Sequence, residues 1–348
     1  MACLRPLLAP ACTAAAVRRS RGDGRRADRL PRRKASFAAS RKLAPMRTAD
    51  LVELLLLSVL WGAAYLFMRA AVPAFGPAPL IALRLGIAAL QLLPFMLWRG
   101  GLPVLRAHPW PLVVLGTAYT ALPFMLLAFA SLHITAGLVA VLNATAPLFS
   151  ALLAHYVLRE RLGAWRAAGL AIGFAGVGAL MWGSSTFKSA DGALAVGAVL
   201  VCSALWALGA NYTRKHLAGA DSVVITVGSL LAAALFLAPF AWSSWPEQNP
   251  SPRAWAEMTF LGVASSGIGF LIYFRLLRRI GPLKSMSVTY LNPVVAIFAA
   301  SWYLGESVTP RMLFGGAVVL IGTALSLGLV GRRPAPAARV SALGGAPD

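Results

Sequence analysis

The chain has 348 residues, of which 59% are hydrophobic and 12% charged, where a soluble globular protein carries roughly 25% charged residues. With a mean hydropathy of +0.73, the composition excludes an ordinary soluble domain and points to a polytopic membrane protein. The net charge of +21 does not indicate a nucleic-acid partner, because it is gathered in an N-terminal segment and in short connections between apolar runs.

Residues 1–47 carry thirteen Lys and Arg against two Asp, with many Ala and Ser. Such a segment has too little apolar surface to fold. Residues 1–49 are therefore expected to be a disordered basic extension. Two origins stay open for it: an organellar transit peptide, or a start codon set upstream of a true start at Met46. Ten apolar spans follow, at 51–71, 78–98, 110–130, 134–158, 164–183, 192–212, 221–243, 255–277, 283–304 and 311–331. Each approaches the ~20 residues that cross a bilayer core. Gly, Pro and Ser punctuate the connections, as in "RGGLP" and "SSWPEQNPSP". Residues 332–348 read as a disordered tail.

Basic residues set the orientation. One side carries Arg99, Arg106, Arg159, Arg161, Arg166, Arg214, Lys215, Arg275, Arg278, Arg279 and Lys284, with Arg332, Arg333 and Arg339 beyond the last span. The other carries Lys188, Arg253 and Arg311. This asymmetry predicts that both termini are cytoplasmic. Arg69 and Arg84 lie inside spans.

The chain also matches itself. "SVLWGAAYLFMR" at 58–69 aligns with "SALWALGANYTR" at 203–214, and "AALQLLPF" at 88–95 with "AALFLAPF" at 233–240, both at an offset of 145 residues. Pro147, Glu160, Gly169 and Gly176 align with Pro293, Glu306, Gly315 and Gly322 at an offset of 146. Trp, Arg, Pro and Glu at one nearly fixed offset indicate two copies of a five-helix unit, 50–183 and 184–331. Because five is odd, the second copy enters the membrane from the opposite face, which predicts an all-α fold of ten transmembrane helices in two inverted repeats.

The stretches "LWGAAYLFMRAAV…ALRLGIAAL" and "NPVVAIFAASWYLGESVTPRMLFGGAVVLIG" resemble the EamA-type permeases of the drug/metabolite transporter superfamily, over about residues 50–330. The resemblance implies a ten-helix transporter that exports or exchanges amino acids, other metabolites or drugs. It places the chain in a bacterial inner membrane, or in an organellar membrane if the basic extension is a transit peptide.

Candidate residues follow from depth and chemistry. Pro147 and Pro293 each remove a backbone donor and free the carbonyl four residues earlier, at Asn143 and Thr289. In hydrocarbon such a carbonyl must face protein or a wet cavity. Asn143 and Asn292 bring side-chain amides to the same places, with Tyr290 nearby. These bends are expected either to line a substrate path or only to shape helix packing. Glu160 and Glu306 lie thirteen residues beyond the prolines, about 20 Å along a helix. They are read as helix-end anchors or gate contacts, with Arg161 or Arg311 as partners, or as solvated helix ends. Trp61 and Trp206 occupy matched sites, and Tyr65 and Asn211 lie about one turn further on. They are expected to line the cavity, with Tyr119 and Tyr273 as further candidates. Arg84 either faces the cavity to pair with a substrate carboxylate or snorkels to the headgroups; the second copy has Ser229 there.

The eleven carboxylates avoid the middles of the spans, so no mid-membrane carboxylate proton relay is expected. Cys3, Cys12 and Cys202 have neither metal-type spacing nor a disulfide framework, and the four histidines are scattered. No phosphate-binding GxxxxGK[ST] loop is present. No metal or cofactor is expected, and the expected partners are a small-molecule substrate and the bilayer. A homodimer stays open. The function predicted is a secondary transporter of small organic solutes, amino-acid-like metabolites or drugs, by efflux or exchange. The alternative is a membrane-embedded enzyme or lipid-handling protein, for which clustered His, Asp, Glu or Cys at membrane depth would be needed.

Overall fold

The bilayer offers no hydrogen-bond partner to a peptide group, so a chain of this composition closes its backbone bonds within helices. The computed structural model describes residues 47–156, 163–182 and 190–327, and every regular element among them is helical. Eight helices are long and apolar enough to cross a membrane: α1 (Thr48–Phe75), α2 (Pro77–Trp98), α3 (Pro109–His133), α4 (Ala136–Tyr156), α5 (Ala164–Met181), α6 (Ala190–His216), α7 (Ser222–Ser243) and α8 (Pro252–Ile280). Two shorter apolar helices follow, α9 (Val288–Leu304) and α10 (Pro310–Ser326). Short helices at Leu102–Ala107 and Pro282–Ser285 precede α3 and α9.

Local chemistry sets the boundaries. Thr135, Ser251 and Thr309 side chains accept from backbone N–H groups at the starts of α4, α8 and α10, and Asp221 does so for α7. These caps satisfy donors that have no partner inside the helix. Gly76, at φ 76°, turns the chain between α1 and α2, with Pro77 already in helical φ.

The two matched prolines act differently. α4 is two helical pieces, Ala136–Asn143 and Ala146–Tyr156, with a turn at 144–145 and Pro147 in the first turn of the second piece. The Thr145 hydroxyl donates to the Leu142 carbonyl at 2.6 Å, and the Thr323 hydroxyl, which donates to the Val319 carbonyl at 2.8 Å, stands 3.3 Å from the Ala144 carbonyl oxygen. α9 instead runs through Pro293, and the chain breaks earlier, at 286–287. The span expected from residue 283 therefore begins at Val288.

Helix pairing is extensive between α5 and α10, α2 and α7, α1 and α9, and α3 and α6. α8 packs on α1 and α2, while α3 and α4 pack on α6, and α3 on α7. Exchanging each helix for its sequence counterpart leaves this set of pairings unchanged. Small residues make the close contacts. A Cβ on Gly116 would lie 2.6 Å from the Ser229 carbonyl oxygen of α7, and one on Gly262 would lie 2.9 Å from Ile87 of α2. These two glycines are counterparts at offset 146. On the α5–α10 seam, Gly169 and Gly176 face α10 while Gly315 and Gly322 face α5.

α3 and α8 each contain a π-helical stretch, Thr117–Ala121 and Phe260–Ile268. The 146-residue offset lays the first on residues 263–267, inside the second. At the start of α1, Glu53 lies 2.9 Å from Arg275 and Asp50 lies 3.1 Å from Arg279, tying α1 to the end of α8.

The seam gives a test of packing. Gly322 meets the Gly173 backbone, so Gly322→Leu has no room for its side chain, whereas nothing lies within 4 Å of a Cβ on Gly178. Gly322→Leu is expected to lower the stability of the purified protein by about 1–3 kcal/mol, read as a lower melting temperature in detergent. Gly178→Ala is expected to melt with the wild type.

Candidate functional site

The π stretches place polar groups where α3 and α8 face the centre of the bundle. A π turn inserts a residue into the helical ladder and re-aims its side chains. Within the first stretch the Thr120 hydroxyl donates to the Leu115 carbonyl, five residues back, at 3.0 Å. Tyr119 and Thr120 from one stretch, and Ser265 and Ser266 from the other, all line a central cavity of about 420 Å³.

Matched aromatic pairs form its walls. Trp61 meets Phe270 edge-on at 6.0 Å and 72°, and Trp206 meets Phe124 at 5.7 Å and 71°. Trp61 and Trp206 are counterparts, as are Phe124 and Phe270. Edge-to-face contacts of this kind hold rings in fixed orientation. The Trp61 indole N–H also donates to the Ser265 carbonyl at 3.1 Å, a second bond that fixes its ring.

Polar groups of unequal kind lie between the walls. The Asn143 amide donates to the Tyr65 hydroxyl at 2.7 Å and accepts from the Ser203 hydroxyl at 3.3 Å. It thereby joins α4, α1 and α6 at the break in α4. Arg84 of α2 is 5% exposed. Its Nε donates to the Ser266 hydroxyl at 2.9 Å, and its Cζ stands 4.6 Å from the Phe124 ring centre. Its Nη1 is buried without a hydrogen-bond partner, as are Asn292 Oδ1 and the Ser265 hydroxyl. None of the described residues lining the cavity is acidic.

Of the residues expected from sequence to surround a substrate, the structure brings Trp61, Tyr65, Arg84, Tyr119, Asn143, Trp206 and Asn292 to this one cavity, with Pro147. Three are elsewhere. Asn211 donates to the Ala207 carbonyl, accepts from Arg214 at 2.6 Å and lines a smaller neighbouring cavity of about 210 Å³ with Arg214. Tyr273 stands behind Trp61 at 5.3 Å, and Tyr290 is outside the lining with its hydroxyl buried. Pro293 is buried but does not reach the cavity surface. The sequence reading missed the lining residues Phe124, Phe270, Ser265, Ser266, Thr120 and Thr226. The 146-residue offset relates Phe124 to Phe270 and Thr120 to Ser266, so part of the signal was present in the repeat.

Ser150 and Ala207 border both cavities, so the smaller one, lined also by Arg214, lies next to the central one. Glu306, just past α9, joins α4 to α1. Its Oε1 accepts from the Ala136 N–H at the start of α4 at 3.1 Å and lies 3.9 Å from Arg69 Nε. Arg69 also donates to the Ser131 carbonyl of α3. Among the described residues the basic partner of Glu306 is therefore Arg69, near the end of α1, rather than Arg311. A carboxylate at a helix N-terminus is favoured by the free N–H groups and the helix dipole, which draws Glu306 inward toward α4. Glu160, its counterpart, and Arg161 lie outside the described residues. No group of three or more His, Cys, Asp or Glu able to hold a metal occurs among the described residues.

Comparison with known proteins gives the family. The model of the EamA-like transporter family matches residues 51–182 and 193–328. A probable terminal-alkyne amino-acid exporter of Streptantibioticus cattleyicolor is 29% identical over 285 residues, 80% of this chain and 94% of the relative. The uncharacterized inner membrane transporter YedA of Escherichia coli (strain K12) is 28% identical over 290 residues, 78% of this chain and 89% of the relative. A crystal structure of a protein 21% identical in sequence superposes with a TM-score of 0.60, covering 82% of this chain and 98% of that one, and so shares the fold. The chain is a multi-pass membrane protein of the EamA-like transporter family.

Proposed function

We propose that the chain is a secondary transporter that carries small organic solutes, amino-acid-like metabolites or drugs, by efflux or exchange through alternating access. The observation that carries this reading is a central cavity walled by counterpart residues of both copies. In this proposal α9 and α10 also cross the membrane, giving ten spans in two inverted five-helix repeats, 50–183 and 184–331. The basic segment before α1 and the tail after α10 stand outside the transport unit.

Contacts on α3 support the inversion. Arg69, near the end of α1, reaches Ser131 near the end of α3. Arg214's neighbour Tyr212, near the end of α6, stacks instead on Tyr119 in the first half of α3, at 5.5 Å. Counterpart helices thus approach α3 from opposite directions. Two arrangements that differ by exchanging the roles of such copies are close in energy, which is the requirement for alternating access. The distribution of Lys and Arg puts the Arg214 end and both termini in the cytoplasm. In a bacterial inner membrane the described conformation then opens inward, with Arg69 and Glu306 closing the outer end. The amino-acid exporter among the relatives supports an amino-acid-like substrate.

Reconstituted protein should exchange a labelled member of an amino-acid and amphiphile panel across liposomes. Asn143→Ala leaves the Tyr65 and Ser203 hydroxyls without their partner, a defect of about 1–3 kcal/mol, and is expected to slow flux about tenfold with normal membrane insertion. Absence of flux for every panel member in the wild type would sink the transporter reading.

The gate is tested separately in a background without Cys3, Cys12 and Cys202. A cysteine at Ser150 is expected to react with an impermeant maleimide from the cytoplasmic face. A cysteine at Leu127, deep in the cavity, should gain reactivity from the outer face when Glu306→Gln removes the charge facing Arg69. Unchanged labelling of Leu127→Cys would show that this ion pair does not hold the outer end closed.

A further inference from the structure

Resting on the transporter reading, we propose that the cavity selects solutes bearing one carboxylate on an apolar or aromatic body, and that Arg84 receives the carboxylate. Arginine is effectively always protonated, so burial does not neutralise it. A guanidinium removed from water is costly unless an anion and hydrogen-bond acceptors compensate it. Arg69, Arg99, Arg253, Arg275 and Arg279 each have a carboxylate within 4.0 Å. Arg84 is buried at 5% exposure, yet no described residue lining its cavity is acidic.

The geometry reserves one edge of the group. Ser266 occupies Nε and the Phe124 ring covers a face, at 2.9 and 4.6 Å. Nη1 is buried and unpartnered, and Arg84 is one of the residues that line the cavity. A carboxylate arriving there completes a charge-assisted contact with a group already held in place. One fixed charge balances one anionic charge, so a monoanion leaves the loaded cavity neutral where a dianion would not. The tryptophan and phenylalanine walls suit a flat apolar body. Asn292 also lines the cavity, and its Oδ1, buried and unpartnered, can accept a neutral donor such as a hydroxyl on the ligand. The second copy has Ser229 where the first has Arg84, so recognition of the anion belongs to one repeat.

The test uses the purified full chain and three probes with one body: 3-phenylpropionate, 3-phenylpropanamide and 3-phenylpropylamine. Binding is read by calorimetry and by thermal stabilisation. The carboxylate is expected to bind about tenfold or more tightly than the amide, with the amine weakest. Arg84→Gln should bring carboxylate and amide within about twofold, and Arg84→Lys should retain a preference for the carboxylate. Comparison of the three probes on the wild type decides the matter even where a variant fails to fold. Equal affinity for carboxylate and amide, a preference that survives Arg84→Gln, or no carboxylate binding at millimolar concentration would each overturn the assignment. Flux of uncharged solutes by the same preparation would then leave the transporter reading standing, and absence of all flux would remove both.

Discussion

A bilayer supplies no partner to an unpaired amide or charge, and the placement of nearly every polar group in this protein follows from that constraint. Asp50 and Glu53 meet Arg279 and Arg275 at the membrane end of α1, and Glu306 meets Arg69 and a helix N-terminus at the opposite end. Hydroxyls inside helices mostly return to their own backbone, as Ser58 does to Leu54 and Ser131 to Leu127. Polar atoms left without a protein partner are correspondingly informative. Three of them belong to Arg84, Asn292 and Ser265, residues that line one cavity. They are tolerable there because a cavity, unlike lipid, admits water or a ligand.

The repeat distributes the work unevenly. Its symmetric elements build the frame: the α5–α10 glycine seam, the Gly116 and Gly262 approaches, the two π stretches and the two Trp–Phe pairs. Its asymmetric elements carry the polar chemistry. Arg84 faces Ser229 in the other copy, Tyr65 corresponds to Ala210, and Asn143 to Thr289. The frame is thus nearly self-equivalent, while the polar groups within it are not.

The spans and the repeat were legible because hydrophobic length and a fixed offset between rare residues are properties of the chain itself. Depth was legible too, which is why Trp61, Tyr65, Arg84, Asn143, Trp206 and Asn292 were read as lining residues and do line the cavity. What the sequence concealed was rotation about the helix axis. Tyr273 and Tyr290 have suitable depth but point elsewhere, and the π stretches that turn Ser265 and Ser266 inward carry no local composition signal. The partner of Glu306 was also hidden. Arg311, five residues away in sequence, was the obvious choice, yet the N-terminus of α4 draws the carboxylate across to Arg69.

That contact ties the two themes together. Glu306 joins the ends of α1 and α9 to the start of α4, and Asn143, at the break in the same α4, joins α1 to α6 beside the cavity. The half-helix Ala136–Asn143 is thus held at one end by the ion pair and at the other by the cavity network. A short rigid piece fixed at both ends transmits a displacement rather than absorbing it. The turn at 144–145 is the point where α4 can yield, because its ladder is already interrupted there. The matched prolines therefore matter less as a pair than as a difference: one lies beside a broken helix next to the cavity, and the other lies within an unbroken helix.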